Sequence, residues 1–290
     1  MRPPLHSGTV LITGACSGIG REIARQLAHR ARTLVLVSHS AEHLGGLRAE
    51  LQVLNPTLGV VLLPCDVSRP GEVGDMLAEL SRHFISVDVL VNAAGVGERG
   101  LFARQRWGSI ERMLLVNVVA PLLLTRRLLG PMLARGRGGI LHIGAGASQL
   151  FLPGAATYAA SRRCMDGFLE SLRLELEGTG IVLTQVAPGP VDDSESQEGD
   201  ERQRGARPFF HVSAERCARE ALAGFERGAA LVYPGRAHRW VMTLLPRLPR
   251  AVRRALGRRA ARDLQERSGA EALLVAEKPL GLLEDVPSLA

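Results

Sequence analysis

Aromatic residues are scarce in this chain: two Trp, two Tyr and seven Phe make up 4% of its 290 residues. With no stacking aromatics beside its basic residues and no recognition motif, the chain is not expected to bind nucleic acid. The apolar content is mainly aliphatic, which suits strands buried on both faces and closely packed helices. Cysteine is scarce as well. Cys16, Cys65, Cys164 and Cys217 are widely separated, so neither a disulfide framework nor a metal site is expected, and they read as reduced core residues of a cytoplasmic protein. No run of about 18 clean apolar residues is present, so no membrane span is expected. Residues Met1 to Gly8 lack the apolar stretch of a signal peptide. Acidic residues are missing from two places that matter below, 38–40 and 236–262.

What is present is organised around Thr13-Gly14-Ala15-Cys16-Ser17-Gly18-Ile19-Gly20. An apolar run, Thr9-Val10-Leu11-Ile12, precedes it, and a helical pattern from Arg21 to Ala28 follows. Strand, glycine-rich turn and helix in that order make a phosphate site: glycines let a pyrophosphate approach the backbone, and the helix N-terminus holds its charge. The spacing is Gly-x-x-x-Gly-x-Gly, and a loop of this kind can also simply close a βα unit. The net charge of +7 reads first as a general arginine bias and second as a basic surface for a partner.

Strand and helix patterns alternate from residue 8 to 190, predicting an α/β fold: a Rossmann-like, doubly wound parallel sheet with helices on both faces and ligands at the carboxyl ends of the strands. Strands are predicted at 8–14, 32–37, 58–63, 87–92, 139–143, 180–186 and 230–234. Helices are predicted at 18–30, 41–54, 71–83, 109–134, 156–177 and 213–227. Residues 1–235 read as a single domain and 236–290 as a basic extension. Ser38, His39 and Ser40 follow the second strand, where an acid would bind ribose hydroxyls and repel a 2′-phosphate. The lack of an acid there favours NADP(H) over NAD(H), with these three residues as candidate phosphate contacts, unless they only start the next helix. Asp66, past the third strand, can accept from an adenine amino group or cap the helix that follows.

Taken together and in order, Thr13–Gly20, Asp66, Asn92-Ala93-Ala94-Gly95, Asn117, Tyr158 and Pro188-Gly189 resemble the short-chain dehydrogenase/reductase family over about residues 8–235. The resemblance implies a nicotinamide-dependent oxidoreductase acting on carbonyls and alcohols, commonly a homodimer or homotetramer built on the helices near 109–134 and 156–177. It places Gly14, Ser17, Gly18, Ile19 and Gly20 at the cofactor phosphates and Asp66 and Val67 by the adenine. Asn92, Ala93 and Gly95 fall on the ribose side, and Pro188, Gly189 and Val191 beside the nicotinamide. Asn117 would hold a helix backbone open for a proton-relay water, and Tyr158 would be the acid/base.

Two positions depart from the family's pattern. Four residues after the tyrosine, on the same helical face, the family has a lysine that lowers the phenol's pKa and bonds the ribose; this chain has Arg162. Arginine supplies the charge but is effectively never deprotonated, so it is a poor relay link. Thirteen residues before the tyrosine the family usually has a serine that bonds the substrate oxygen; this chain has Ala145. Losing such a donor typically costs about 10²–10³ in rate. Ser148 is a candidate substitute. Two function classes stay open: an NADP(H)-dependent carbonyl reductase or alcohol dehydrogenase with a modified site, and a weak or inactive NADP(H)-binding homologue acting as a partner or sensor. A non-redox use of the tyrosine is a third.

Leu150, Phe151, Leu152, Pro190 and Val191 suggest an apolar pocket for a lipophilic ketone or aldehyde, though core packing explains them as well. Residues 192–207 read as a polar loop. Residues 236–262 carry nine arginines and no acid, with Trp240, Val241, Leu244, Leu245, Leu248, Val252 and Leu256 interleaved. This amphipathic segment is expected to pack on its own domain or a second subunit, or to lie at a membrane surface.

Overall fold

The computed structural model describes residues 2–146, 151–192, 211–249, 251–255, 257–258 and 261–262. The apolar runs at Thr9–Thr13 (β1) and Thr33–Ser38 (β2) lack polar alternation, and all but Thr33 are buried. They occupy the middle of a parallel sheet, where both faces are covered. The sheet continues with Gly59–Pro64 (β3), Val89–Asn92 (β4), Gly138–Ile143 (β5), Ile181–Val186 (β6) and, at one edge, Leu231–Val232 (β9). A separate parallel pair is formed by Val191–Asp192 (β7) and Val212–Ser213 (β8). Among the described residues the large sheet has seven strands in the order β3-β2-β1-β4-β5-β6-β9, each neighbouring pair parallel. The chain leaves β3 at one edge and re-enters beside β1 as β4. That reversal opens a crevice beyond the carboxyl ends of β1 and β4.

Helices fill both faces. Gly18–Leu27 (α1), Ala41–Leu54 (α2) and Ala214–Glu226 (α7) cover one face, around a core that includes Ile12, Ile23, Leu36, Leu44 and Phe225. Pro70–Arg82 (α3), Ala120–Ala134 (α5) and Ala156–Glu175 (α6) cover the other, around Leu11, Val35, Leu90, Leu124, Met165 and Leu169. Ser40 and Ser213 cap α2 and α7, accepting from the backbone N–H of His43 and of Arg216.

The single helix expected over 109–134 is interrupted. Trp107–Leu114 (α4) leads into a π-type turn, Leu115–Val119, and then α5. Pro121 has no N–H to give the Asn117 carbonyl four residues earlier. The turn widens instead, and Ala120 N donates to Leu115 O. The stretch Trp107–Ala134 is long and apolar enough to cross a membrane by length and composition, contrary to the expectation that no segment would be. Here Ile110, Met113, Val116, Leu124 and Met132 are buried in the fold. Helix α1 ends earlier than expected, and the edge strand β9 is only two residues long. Cys65 and Cys217 are buried core thiols; burial first, then neighbouring carboxylates, pushes their pKa values up to about 11 and about 12. Cys164 corrects the core expectation: it lies on the exposed side of α6, and Cys16 is half-buried.

Phe225 is fully buried on α7 and meets the sheet at Gly139, where an added Cβ would come 2.5 Å from the ring. Phe225→Ala is expected to destabilise the chain by about 3–5 kcal/mol, read as a lower urea midpoint. A midpoint unchanged from the natural protein would show that α7 does not anchor this face.

Candidate active site

The crevice begins where β1 ends. Gly14 has φ +63°, and a Cβ there would come 2.8 Å from Ala94 Cα, so the turn at this point excludes a side chain. The Thr13 hydroxyl ties the loop after β1 to the loop after β4. It accepts from Ala93 N and Ala94 N, each at 3.2 Å, and donates to Val91 O at 3.4 Å. Ser17 sits at the N-cap of α1 with no side-chain cap bond. The first-turn N–H groups and the positive end of the helix therefore remain available to an anion.

The resulting cleft has a volume of about 470 Å³. Its walls bring together Gly14, Ser17, Gly18, Ile19, Ser38, His39, Asp66, Val67, Ala93, Gly95, Tyr158, Arg162, Pro188, Gly189 and Val191, and Ala145 is among them. Gly20, Ser40, Asn92 and Asn117 are not part of the wall. Gly20 lies against the Gly14 carbonyl, and the Ser40 hydroxyl is the α2 cap. Ser148 and Leu150 lie outside the described residues, as does the loop from 193 to 207.

Asp66 does not cap α3. Its Oδ1 accepts from Ser68 N (2.9 Å) and Ser68 Oγ (2.7 Å), closing a turn before the helix, while its own N–H donates to Glu72 Oε2. Burial pushes its carboxyl up, but the Ser68 bonds and the Arg112 and Arg69 charges outweigh this and hold it below the usual carboxylate value.

Tyr158 and Arg162 stand one turn apart on α6. The guanidinium is buried and lies over the phenol ring, its Cζ 5.2 Å from the centroid, a cation–π arrangement. Nη2 points at Gly95, where a Cβ would come within 2.3 Å. Nε and Nη1 have no hydrogen-bond partner among the described residues. Arg163 turns away, over the Phe151 ring. Asn117, in the widened turn, is fully buried; Val96 N donates to its Oδ1 (3.0 Å), and its Nδ2 donates to Val96 O (2.8 Å) and Ser161 Oγ (3.1 Å). It thus locks the loop after β4 to α6 and fixes Tyr158 relative to the cleft.

Sequence reasoning missed His142 and Arg112. His142 lies in register between Asn92 on β4 and Gln185 on β6, on the same sheet face as Ile140, which packs toward α6. Gln185 Nε2 donates to Asp166 Oδ1 on α6. Neither ring nitrogen of His142 has a partner among the described residues. Burial, and then the Arg162 charge, push its pKa down to about 3, so it is neutral at physiological pH. A histidine within a strand buried on both faces was the available signal. Arg112 lines the cleft from α4; no spacing in the sequence linked it to Asp66.

The short chain dehydrogenase family model matches residues 8–205. The chain is similar to dehydrogenase/reductase SDR family member 7B of Bos taurus, 34% identical over 195 residues, covering 66% of this chain and 60% of that protein. The match thus spans about three-fifths of that relative's length. Nodulation protein G of Rhizobium sp. is 34% identical over 68% of this chain and 78% of its own, and ketoacyl reductase HetN of Nostoc sp. is 33% identical over 66% of each. A short-chain dehydrogenase from Sphingobium yanoikuyae, solved in complex with NADPH, superposes with a TM-score of 0.72 at 26% identity over 96% of this chain and 99% of that one. A bulky-bulky ketone specific alcohol dehydrogenase from Comamonas testosteroni shares the fold, with a TM-score of 0.67 at 24% identity over 95% of this chain and 96% of that one.

His142 gives the site a pH signature. In the unfolded chain it takes up a proton near pH 6.5 and in the folded chain only near pH 3. The unfolded state therefore binds more protons across that window, and stability falls as pH drops through it, by about 1.4 kcal/mol per pH unit. Between pH 6.5 and 5, before carboxylates contribute strongly, His142→Leu should lose that slope whatever its absolute stability. A denaturation series giving the two proteins equal slopes would show that His142 is protonated in the folded state.

Proposed function

Since the chain belongs to the short chain dehydrogenase family, a family of oxidoreductases, we propose that it is an NADP(H)-dependent enzyme that moves hydride to or from a carbonyl or alcohol substrate. The observation that carries this reading is the buried Arg162 guanidinium over Tyr158, at the edge of a cleft that also receives the uncapped end of α1. The residues fit a dinucleotide. The Gly14 turn leaves room for a pyrophosphate, the α1 N-terminus offers N–H donors to its charge, and Arg162 has unpartnered N–H groups for ribose hydroxyls. Ser38, His39 and Arg112 line the wall without an acid at 38–40, which supports a 2′-phosphate over free ribose hydroxyls.

A nicotinamide held in this cleft would supply or accept the hydride. Tyr158 gives its phenolic proton to the substrate oxygen during reduction and takes it back during oxidation. Arg162 holds positive charge over the ring, with its Cζ 5.2 Å from the centroid. Asn117 fixes the spacing of Tyr158 against the loop after β4. Ala145 adds only a methyl where a second donor to the substrate oxygen would help, so a slow chemical step is expected. Apolar wall residues, among them Val96, Ile143, Ala145, Pro190 and Val191, support a lipophilic carbonyl. Leu114, Val119, Leu133 and Leu174 are exposed on α4 to α6 and support self-association through those helices.

The Ala145 methyl also favours a second reading, an NADP(H)-binding protein with little or no turnover. Single-turnover mixing of the NADPH-loaded protein with a panel of ketones and aldehydes decides between them. NADPH oxidation that falls by about 10²–10⁴ in Tyr158→Phe supports the enzyme. Ala145→Ser should then raise the rate by up to about 10²–10³. NADPH binding without oxidation in the natural protein, with turnover appearing only in Ala145→Ser, would establish the second reading. NADH bound as tightly as NADPH would overturn the cofactor preference.

A further inference from the structure

Arg236–Leu244 (α8) uses both its faces: a histidine and a methionine are buried inward, and apolar residues are exposed outward. Inward, His238 and Met242 are buried. The His238 Nε2 lies 3.0 Å from Ala187 O, and a Cβ on Gly146 would come 2.7 Å from the ring. Helix α8 is therefore clamped onto the loops that follow β5 and β6. Arg239 adds to the clamp, reaching Glu220 on α7 at 3.1 Å and the Tyr233 carbonyl at 3.3 Å.

Outward, Trp240 is 69% exposed and Leu244 53%, with Val241, Leu248 and Val252 exposed beside them. Trp240 and Leu244 stand one turn apart on α8, and Leu248 and Val252 follow in the segment beyond it, after the 3-10 turn Leu245–Arg247. Arg236, Arg247, Arg254, Arg258 and Arg262 are exposed in the same stretch. Among the described residues no carboxylate pairs with them. The clamp on one face accounts for His238 and Met242; among the described residues no packing accounts for a large indole and three aliphatic side chains in water beside arginines without a carboxylate partner.

The geometry points to an anionic lipid bilayer as the surface this face docks on, with Trp240, Leu244, Leu248 and Val252 at the headgroup boundary and the arginines at lipid phosphates. Charge decides against a second copy of this chain on the same face. A symmetric contact would set one arginine-rich surface against another, with no acid between residues 236 and 262 to compensate. The position matters too. Arg253 lies over the Phe151 ring, with Cζ 5.7 Å from its centroid, and a Cβ on Gly257 would touch Phe151. The docking face thus adjoins the segment leading into α6. If the proposed reductase reading holds, a lipophilic substrate would reach the cleft from the membrane side; the docking itself does not depend on that reading.

Flotation of the full-length protein with phosphatidylcholine vesicles, with and without phosphatidylglycerol, tests this without measuring turnover. Trp107→Phe leaves Trp240 as the sole indole, whose emission should shift to the blue on docking. Binding is expected only with the anionic lipid and should weaken as salt rises. Arg254→Glu with Arg258→Glu should reduce it by about tenfold or more, as should Trp240→Ser with Leu244→Ser. Thermal melts of both variants check that the fold is intact. Equal binding to both vesicle types, or binding to neither, overturns the proposal. So does a soluble dimer that the Trp240→Ser, Leu244→Ser variant converts to monomer, which would assign the face to a second copy.

Discussion

A guanidinium does not give up its proton, so burying Arg162 obliges the surrounding groups to live with a full positive charge. Much of the site follows from that. The phenol ring of Tyr158 presents its negative face to the cation at 5.2 Å. Residue 95 has no side chain, because Nη2 takes the space. His142 stays neutral mainly because it is buried, and the Arg162 charge adds to the same effect. Asp166, one further turn along α6, holds Gln185 at the adjoining strand end. A lysine could place an ammonium at this position with less accommodation. The arginine needs the neutral histidine, the glycine and the ring together, and the chain carries all three.

The sheet supplies the rest by topology. Reversal of strand order between β1 and β4 leaves their carboxyl ends uncovered, and the Thr13 hydroxyl spans the gap by bonding the loop after β4. The uncapped N-terminus of α1, the Tyr158 ring and the Arg112 and Arg162 side chains then meet around one crevice, though α1 and Tyr158 lie more than a hundred positions apart in the chain. The π-type turn at Asn117 belongs to the same design. Pro121 removes an α-helical donor, the turn widens, and the asparagine side chain reaches across to Val96 and Ser161.

Helix α8 shows how one sequence pattern can serve two surfaces. Interleaved apolar residues and arginines suggest a single apolar face with charge opposite. Packing divides the helix instead: His238 and Met242 seal the loops after β5 and β6, while Trp240 and Leu244 face outward. The arginines divide too, with Arg239 bound to Glu220 and others left at the surface.

The sequence by itself determined the alternation of strands and helices, the parallel sheet and the glycine-rich turn, because uninterrupted apolar runs, helical periodicity and residues without Cβ carry those features locally. Resemblance to the family's pattern also picked out Tyr158, Arg162 and Ala145. Tertiary structure alone decided which strand ends adjoin, and with them the roles of His142 and Arg112, since neither residue has a sequence neighbour that reveals what it faces. It also decided that Asp66 closes a turn with Ser68 rather than capping α3, that Ser40 serves its helix rather than the cleft, and that Cys164 faces outward. In each case the competing partners are local and chemically equivalent in the sequence. Only packing, by fixing which groups lose contact with water, selects among them.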